Sequence, residues 1–415
     1  MHAQINAITK QRVAVAFFNL VLLAALGTLI RYHFYRPIHS VTLTYLHHAH
    51  SHVAFLGWVF MALFTLITYQ FLDKNEFTSK HYNYLFWTLQ ATNIGMLFTF
   101  PFMGYAPLSI AFSTIHTVCS VIFTIKLIRY LKRKNINTFP SSVRFIIWAF
   151  VFMLIANLAP FALALVSANY GKSDLYYFLV SYYLHFQYDG WFTFALLGLF
   201  MKYLENQGIN SNHRLIKWGL LLKLIAIFPV LSIAILSPET NIFWFLITII
   251  SAIIQLVGLL CLLSFFWKYK TSWNTSNSKW STALVLIAFC SVLIEHILQI
   301  IGGLTVSVEL LINRQVVVAY LHLVFVGFVT VFLLHQFIVL GFLKIASLLL
   351  AWLAIFIVAF IITEVVLLVR NEVPESNFLL FVLAILQLTG AIIFLLSVSS
   401  SKVGSQINSA HFIGK

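Results

Sequence analysis

Residues 45–58 read YLHHAHSHVAFLGW. Four histidines, His47, His48, His50 and His52, stand at the mouth of an apolar run that continues as VFMALF. Imidazole is a costly group to turn toward lipid, and ionisable side chains inside membrane spans mark functional positions. Helical periodicity separates the four. His50 and His52 are two positions apart, about 200° around a helix, so they face opposite ways. His48 and His52 are four apart and share a face. His47 is closest to the boundary and reads as interfacial.

The run belongs to a chain built almost wholly of such runs. Of 415 residues, 61% are hydrophobic and 9% charged, against roughly 45–50% apolar in soluble domains. Apolar stretches of membrane-crossing length recur from one end to the other, which predicts a single all-α, polytopic membrane domain over 1–415. The formal charge of +14 lies mostly between the apolar runs, so positive-inside bias explains it and no nucleic-acid partner is expected. Cys119, Cys261 and Cys290 all sit in apolar segments and form no CxxC pair. The first span lacks a small-residue cleavage site and is expected to be retained.

Twelve transmembrane helices are expected, at about 13–31, 44–70, 83–101, 105–128, 144–168, 175–203, 215–236, 241–267, 280–301, 315–340, 342–368 and 377–398. PFMGYAP divides the third from the fourth, and the region of Gly341 divides the tenth from the eleventh. Basic connections (KQR, KLIRYLKRK, KYLENQGINSNHRLIK, KYK) alternate with base-poor ones (YGKSD, SPET, VEL, NEVPES). That asymmetry places both termini in the cytoplasm; the membrane is expected to be of the bacterial inner type.

The signature in the opening stretch occurs three times. HVAFLGW starts at His52, HFQYDGW at His185 and HLVFVGF at His322. Each has an aromatic three residues on, a glycine five on and an aromatic six on, and the histidines are 133 and 137 residues apart. The copies fall on the second, sixth and tenth spans. The pattern predicts three pseudo-symmetric four-helix arcs, with repeats over about 13–128, 144–267 and 280–398. His52, His185 and His322 lie about 8–11 residues in from the outer side, or about 12–16 Å. His116 and His296 are expected in the same layer.

Twelve helices in three arcs, with histidines on the second, sixth and tenth, resemble the catalytic subunit of the haem–copper oxidase superfamily. HSHVAFLGW (His50–Trp58) is also similar to the HxHxxFxG segment of nitric oxide reductases, there on the tenth helix and here on the second. The resemblance implies a haem-binding protein of electron transfer or of nitric oxide or oxygen chemistry. Its non-covalent haem b would take His52 and His322 as axial ligands. It implies a second haem or copper site, with His50 toward a second haem and His185 toward a non-haem metal. A small electron-donor protein or a gas would be its partners besides the bilayer. The seventh span, WGLLLKLIAIFPVLSIAIL, has no histidine pair. The family's standard copper centre is therefore incomplete, and oxidoreductase activity would be of a divergent kind. The NnrS-type membrane proteins are similar in span count and histidine placement.

Other polar residues join the candidates. His185, Gln187, Tyr188 and Asp189 are close in sequence, with Asp189 one turn from His185, placed to orient it or to carry a proton. A carboxylate deep in hydrocarbon needs pairing, protonation or a metal. Glu295 beside His296, and Glu364 in the eleventh span, are candidates for proton handling. His116 and His296 are candidate metal ligands, and His48 lies near a haem edge or propionate on the resemblance. Lys126 and Lys223 are expected to snorkel toward the cytoplasmic face. His335 reads as structural. His2, His33, His39, His81, His213 and His411 read as solvated. No phosphate loop, HExxH, GxSxG or CxxCH is present. A transporter built on the same polar layer and a haem-free structural or assembly protein are the alternatives.

Overall fold

The computed structural model describes residues 2–134, 139–237, 239–270, 279–304, 313–370 and 372–399. The expected VEL connection and His411 lie outside these residues. The described chain is helical, with one isolated β-bridge between Leu343 and Val398.

Ten helices among the described residues are long and apolar enough to cross a membrane, and each matches one of the expected spans. The protein is thus an all-α polytopic membrane protein. The two expected spans outside the ten are helical but more polar. One is α5 (Lys80–Met103); the other is the continuous helical run from Asp174 to Asn206, which carries the second signature. The expected division at PFMGYAP is a chain reversal at Gly104, and the division near Gly341 is another, both with positive φ.

The chain falls into two units, Met1–Lys134 with Leu333–Lys415, and Asn135–Phe332. The third expected repeat is divided between them. In the first unit, α1 (His2–Tyr35) packs on α2 (Leu43–His52) and α5, with Leu26, Ile30, Leu46, Ala49, Val53, Met96 and Phe100 as their shared core. The first unit also holds α3 (Phe60–Phe71), α4 (Lys74–Phe77) and α6 (Pro107–Lys134). The second unit holds α7 (Ser141–Ala156), α8 (Ala159–Tyr170), α9 (Asp174–His185) and α10 (Thr193–Asn206). It continues with α11 (Arg214–Ala226), α12 (Ile242–Lys268), α13 (Lys279–Leu304) and α14 (Arg314–His322). The helix of α14 runs on into α15 (Val331–Val339), where the unit boundary falls. The first unit ends with α16 (Ser347–Leu368) and α17 (Ser376–Leu396).

All three signatures take one backbone form. Immediately after His52, His185 and His322 the α-helix widens into a π turn, over Val53–Val59, Phe186–Phe192 and Leu323–Thr330. A π turn holds one residue more than an α turn, so carbonyls lose their usual amides. Here side chains replace them. Thr193 Oγ1 donates to the Tyr188 carbonyl at 2.6 Å, and Thr330 Oγ1 to the Phe325 carbonyl at 2.8 Å. In the first copy Asn19 Nδ2 donates to the Gly57 carbonyl at 3.0 Å and Asn93 Nδ2 to that of Leu56 at 3.1 Å. Asn19 and Gln90 also exchange amide hydrogen bonds at 2.8 and 3.0 Å. The signature aromatics Trp58, Trp191 and Phe328 are buried beside these turns.

Candidate functional site

The second π turn organises a polar group in the second unit. Gly190 lets it lie against α7: a Cβ there would stand 2.6 Å from Phe152 Cβ. His185 ends α9, and its Nδ1 is 3.0 Å from Asp189 Oδ2, one turn on. Its Nε2 donates to the Ile227 carbonyl at 2.7 Å. That carbonyl is open because Pro229 turns the chain after α11 into a 3₁₀ segment (Pro229–Ile235), in which Leu231 N bonds to Phe228 instead.

From α13, Glu295, His296 and Gln299 complete the group. Gln299 Nε2 bridges the carboxylates, donating to Asp189 Oδ2 at 3.0 Å and also to Glu295 Oε1. Glu295 Oε2 pairs with the adjacent His296 Nδ1, which also donates to the Val292 carbonyl at 3.0 Å. Tyr320 of α14 donates to Glu295 Oε1 at 2.8 Å and meets the Tyr188 hydroxyl at 3.2 Å. Lys223 of α11 donates to Gln255 Oε1 at 2.9 Å and approaches His296 Nε2 at 2.9 Å. Gly219 and Gly258 let α11 and α12 cross closely one turn before Lys223. Asp189, Glu295, His296, Lys223, Gln255, Gln299 and His185 are all buried.

The hydrogen bonds fix a proton count. Both His185 nitrogens face oxygen acceptors, and a neutral imidazole has a single N–H. The His185–Asp189 pair therefore holds a second proton, as imidazolium with carboxylate or as imidazole with carboxylic acid. Two carboxylates, the Lys223 ammonium and that proton sum to zero charge. Neutrality is the arrangement a low-dielectric interior favours, since unpaired buried charge is expensive.

The ligand atoms of Asp189, Glu295 and His296 lie within 4.8 Å of one another. Two carboxylates and an imidazole are a donor set that can take a divalent metal ion. His185, expected as a metal ligand, has both nitrogens engaged here, and it holds Asp189 in place. His296, from the same expected layer, joins His185 through Glu295, Gln299 and Asp189. Gln187 is buried within the same π turn.

In the first unit the histidines of the opening stretch do point apart. His52 stacks on Phe100 with ring centroids 4.2 Å apart, and its Nε2 meets the Tyr105 hydroxyl at 3.3 Å. His48 lies edge-on to the same tyrosine at 4.6 Å. His116 is fully buried, edge-on to Phe60 at 5.0 Å, and is an electrostatic neighbour of His52. His50 is on the opposite side, its Cε1 3.2 Å from where a Cβ on Gly27 would stand. His47 Nδ1 bonds to the Leu43 carbonyl at 2.8 Å. Glu364 is half-buried on α16, in this same first unit. His322, in the second unit, opens the third π turn.

The sequence reading of Lys223 is corrected. It does not reach for a membrane face; it is fully buried, with its ammonium on Gln255 and His296. Buried hydrogen-bonding acceptors hold the charge where snorkelling would otherwise carry it outward. Gln299, Gln255, Tyr320 and Tyr105 were not among the candidates. Gln299 had a readable signal, four residues after Glu295 on one helix. The sequence matches no known family model and no curated protein.

Proposed function

We propose that the chain is a cofactor-binding integral membrane protein of haem–copper-oxidase type, working in electron transfer or in nitric oxide or oxygen chemistry. One observation carries the reading: each signature histidine opens a π turn, and π turns inside α-helices are frequent at functional sites. His52 and His322 are the proposed axial ligands of haem b. The fit is better for His52 than for His185, because His52 Nε2 is covered by a tyrosine that is itself 56% exposed. His50, on the side of its helix that faces Gly27, borders the proposed second haem or copper. A bis-histidine haem supplies electron transfer, and gas chemistry needs an open position. A small electron-donor protein and a gas are the proposed partners, in a bacterial-type inner membrane with cytoplasmic termini.

The buried group of the second unit is proposed to hold a metal ion at Asp189, Glu295 and His296, with Tyr188, Tyr320 and the His185–Asp189 proton as its acid–base surroundings. This group also favours a second reading, a carrier of metal cations, since a neutral buried cluster of both signs suits cation exchange.

Optical spectra of the purified protein test the first reading. A sharp band on reduction is expected, and His52→Ala or His322→Ala should remove the low-spin component. A spectrum without haem, or one unchanged in both variants, refutes it. Metal uptake into proteoliposomes tests the second.

A further inference from the structure

Lys223 is 0% exposed, and no carboxylate lies within ion-pair distance of it among the described residues. Its amine is nonetheless the basic group of the cluster, with Asp189 and Glu295 as its electrostatic partners. The ammonium occupies the Nε2 side of His296, while Glu295 occupies the Nδ1 side. Gln299 adds a second sign of an incompletely used site. Its Nε2 bridges both carboxylates, but its buried Oε1 has no hydrogen-bond partner.

We infer that Lys223 is a tethered cation standing in for a metal ion, and that Asp189, Glu295 and His296 take a divalent ion as its ammonium withdraws toward Gln255. The inference rests on the metal reading of this group. The ion is of the borderline divalent class, Mn²⁺ to Zn²⁺, which carboxylate and imidazole suit together. A divalent ion added to a group already neutral leaves excess positive charge in a low dielectric, and moving the ammonium away reduces it. Rotation of the Gln299 amide exchanges Nε2 for Oε1. The bridge between two anions then becomes a further oxygen ligand to a cation.

The test is Co²⁺ titration of the purified full chain in detergent, read by ligand-field absorption, on the parent protein, Lys223→Met and Gln255→Glu. Lys223→Met should bind Co²⁺ at least tenfold more tightly than the parent. Gln255→Glu keeps the lysine but offers it a carboxylate on its far side, and should shift affinity the same way. It carries the test if Lys223→Met does not fold. Glu295→Gln should abolish binding. Affinity unchanged or weakened in the folded lysine and glutamine variants, with binding still lost in Glu295→Gln, overturns the role of Lys223 and leaves the metal reading standing. No Co²⁺ bound by the parent or by either of those variants overturns both.

Discussion

Gly57 and Gly190 occupy the same place in two copies of the signature, yet alanine should act oppositely at the two. At Gly190 an added Cβ meets Phe152 Cβ at 2.6 Å and its Cγ at 2.8 Å. Those atoms are the root of the Phe152 side chain, fixed to its helix at one end and at the other carrying a ring buried among Phe186 and Phe194, so they cannot yield easily. Overpacking of this kind costs about 1–3 kcal/mol. Alanine regains about 0.5–1 kcal/mol of helical preference over glycine, so Gly190→Ala should lose roughly 0–2.5 kcal/mol net. At Gly57 the nearest atoms are Val53 Cγ1 at 3.4 Å and Asn19 Cβ at 3.6 Å, ordinary contacts. Only the helical preference remains there, and Gly57→Ala should be neutral or gain up to about 1 kcal/mol. The assay is denaturant unfolding in detergent followed by tryptophan fluorescence, since Trp58 and Trp191 each adjoin one site and are each 1% exposed. Equal stability of the two variants, or a more stable Gly190→Ala, would refute the claim that this glycine admits a neighbouring helix.

Three further outcomes are expected. Asp189→Asn removes the carboxyl that shares the pair's second proton with His185 and should cost about 3–5 kcal/mol; a double-mutant cycle with His185→Gln should show coupling, and additive losses would count against the pair. Asn19→Leu strips the Gly57 carbonyl and the Gln90 amide of a partner, about 1–3 kcal/mol for each group left unpaired, and unchanged thermal stability would contradict it. For Asp73, burial opposes the charge, but the Glu76 N–H and Lys134, 3.0 Å away, hold its carboxyl below the usual carboxylate range. Its contribution is therefore present above the unfolded value near ~4 and lost as pH falls through the lower folded one. Because the pair is partly exposed, the effect should be small and weakened by salt. Melting curves between pH 3 and 6 should be flatter for Asp73→Asn than for the parent, and superimposable curves would rule the effect out.

The spans were legible because length and apolarity decide them locally, and the reversals at Gly104 and Gly341 announced themselves as short breaks between long apolar runs. The His185–Asp189 pairing was legible too, since four residues on a helix bring two side chains onto one face. The π turns were not. The spare carbonyls of the first are paid for by Asn19 and Asn93, 38 and 37 residues away, so no local pattern reveals it, and the nearby threonines that serve the other two, Thr193 and Thr330, have no counterpart at Phe60. Lys223 misled for a related reason. A lone lysine in an apolar run reads as a snorkelling chain until its partners appear, and Gln255 and His296 are 32 and 73 residues further on.

Each π turn amounts to one residue inserted into an otherwise regular helix. An insertion shifts the angular phase of everything beyond it by about 100°. The histidine-bearing mouth of each span is thus rotated out of step with its apolar tail. The tail can keep its buried face against neighbouring helices while the mouth presents His52, His185 or His322 on a bearing that packing alone would not choose. Deleting a single residue from one signature would leave a straighter, more regular helix. It would also aim that histidine somewhere else.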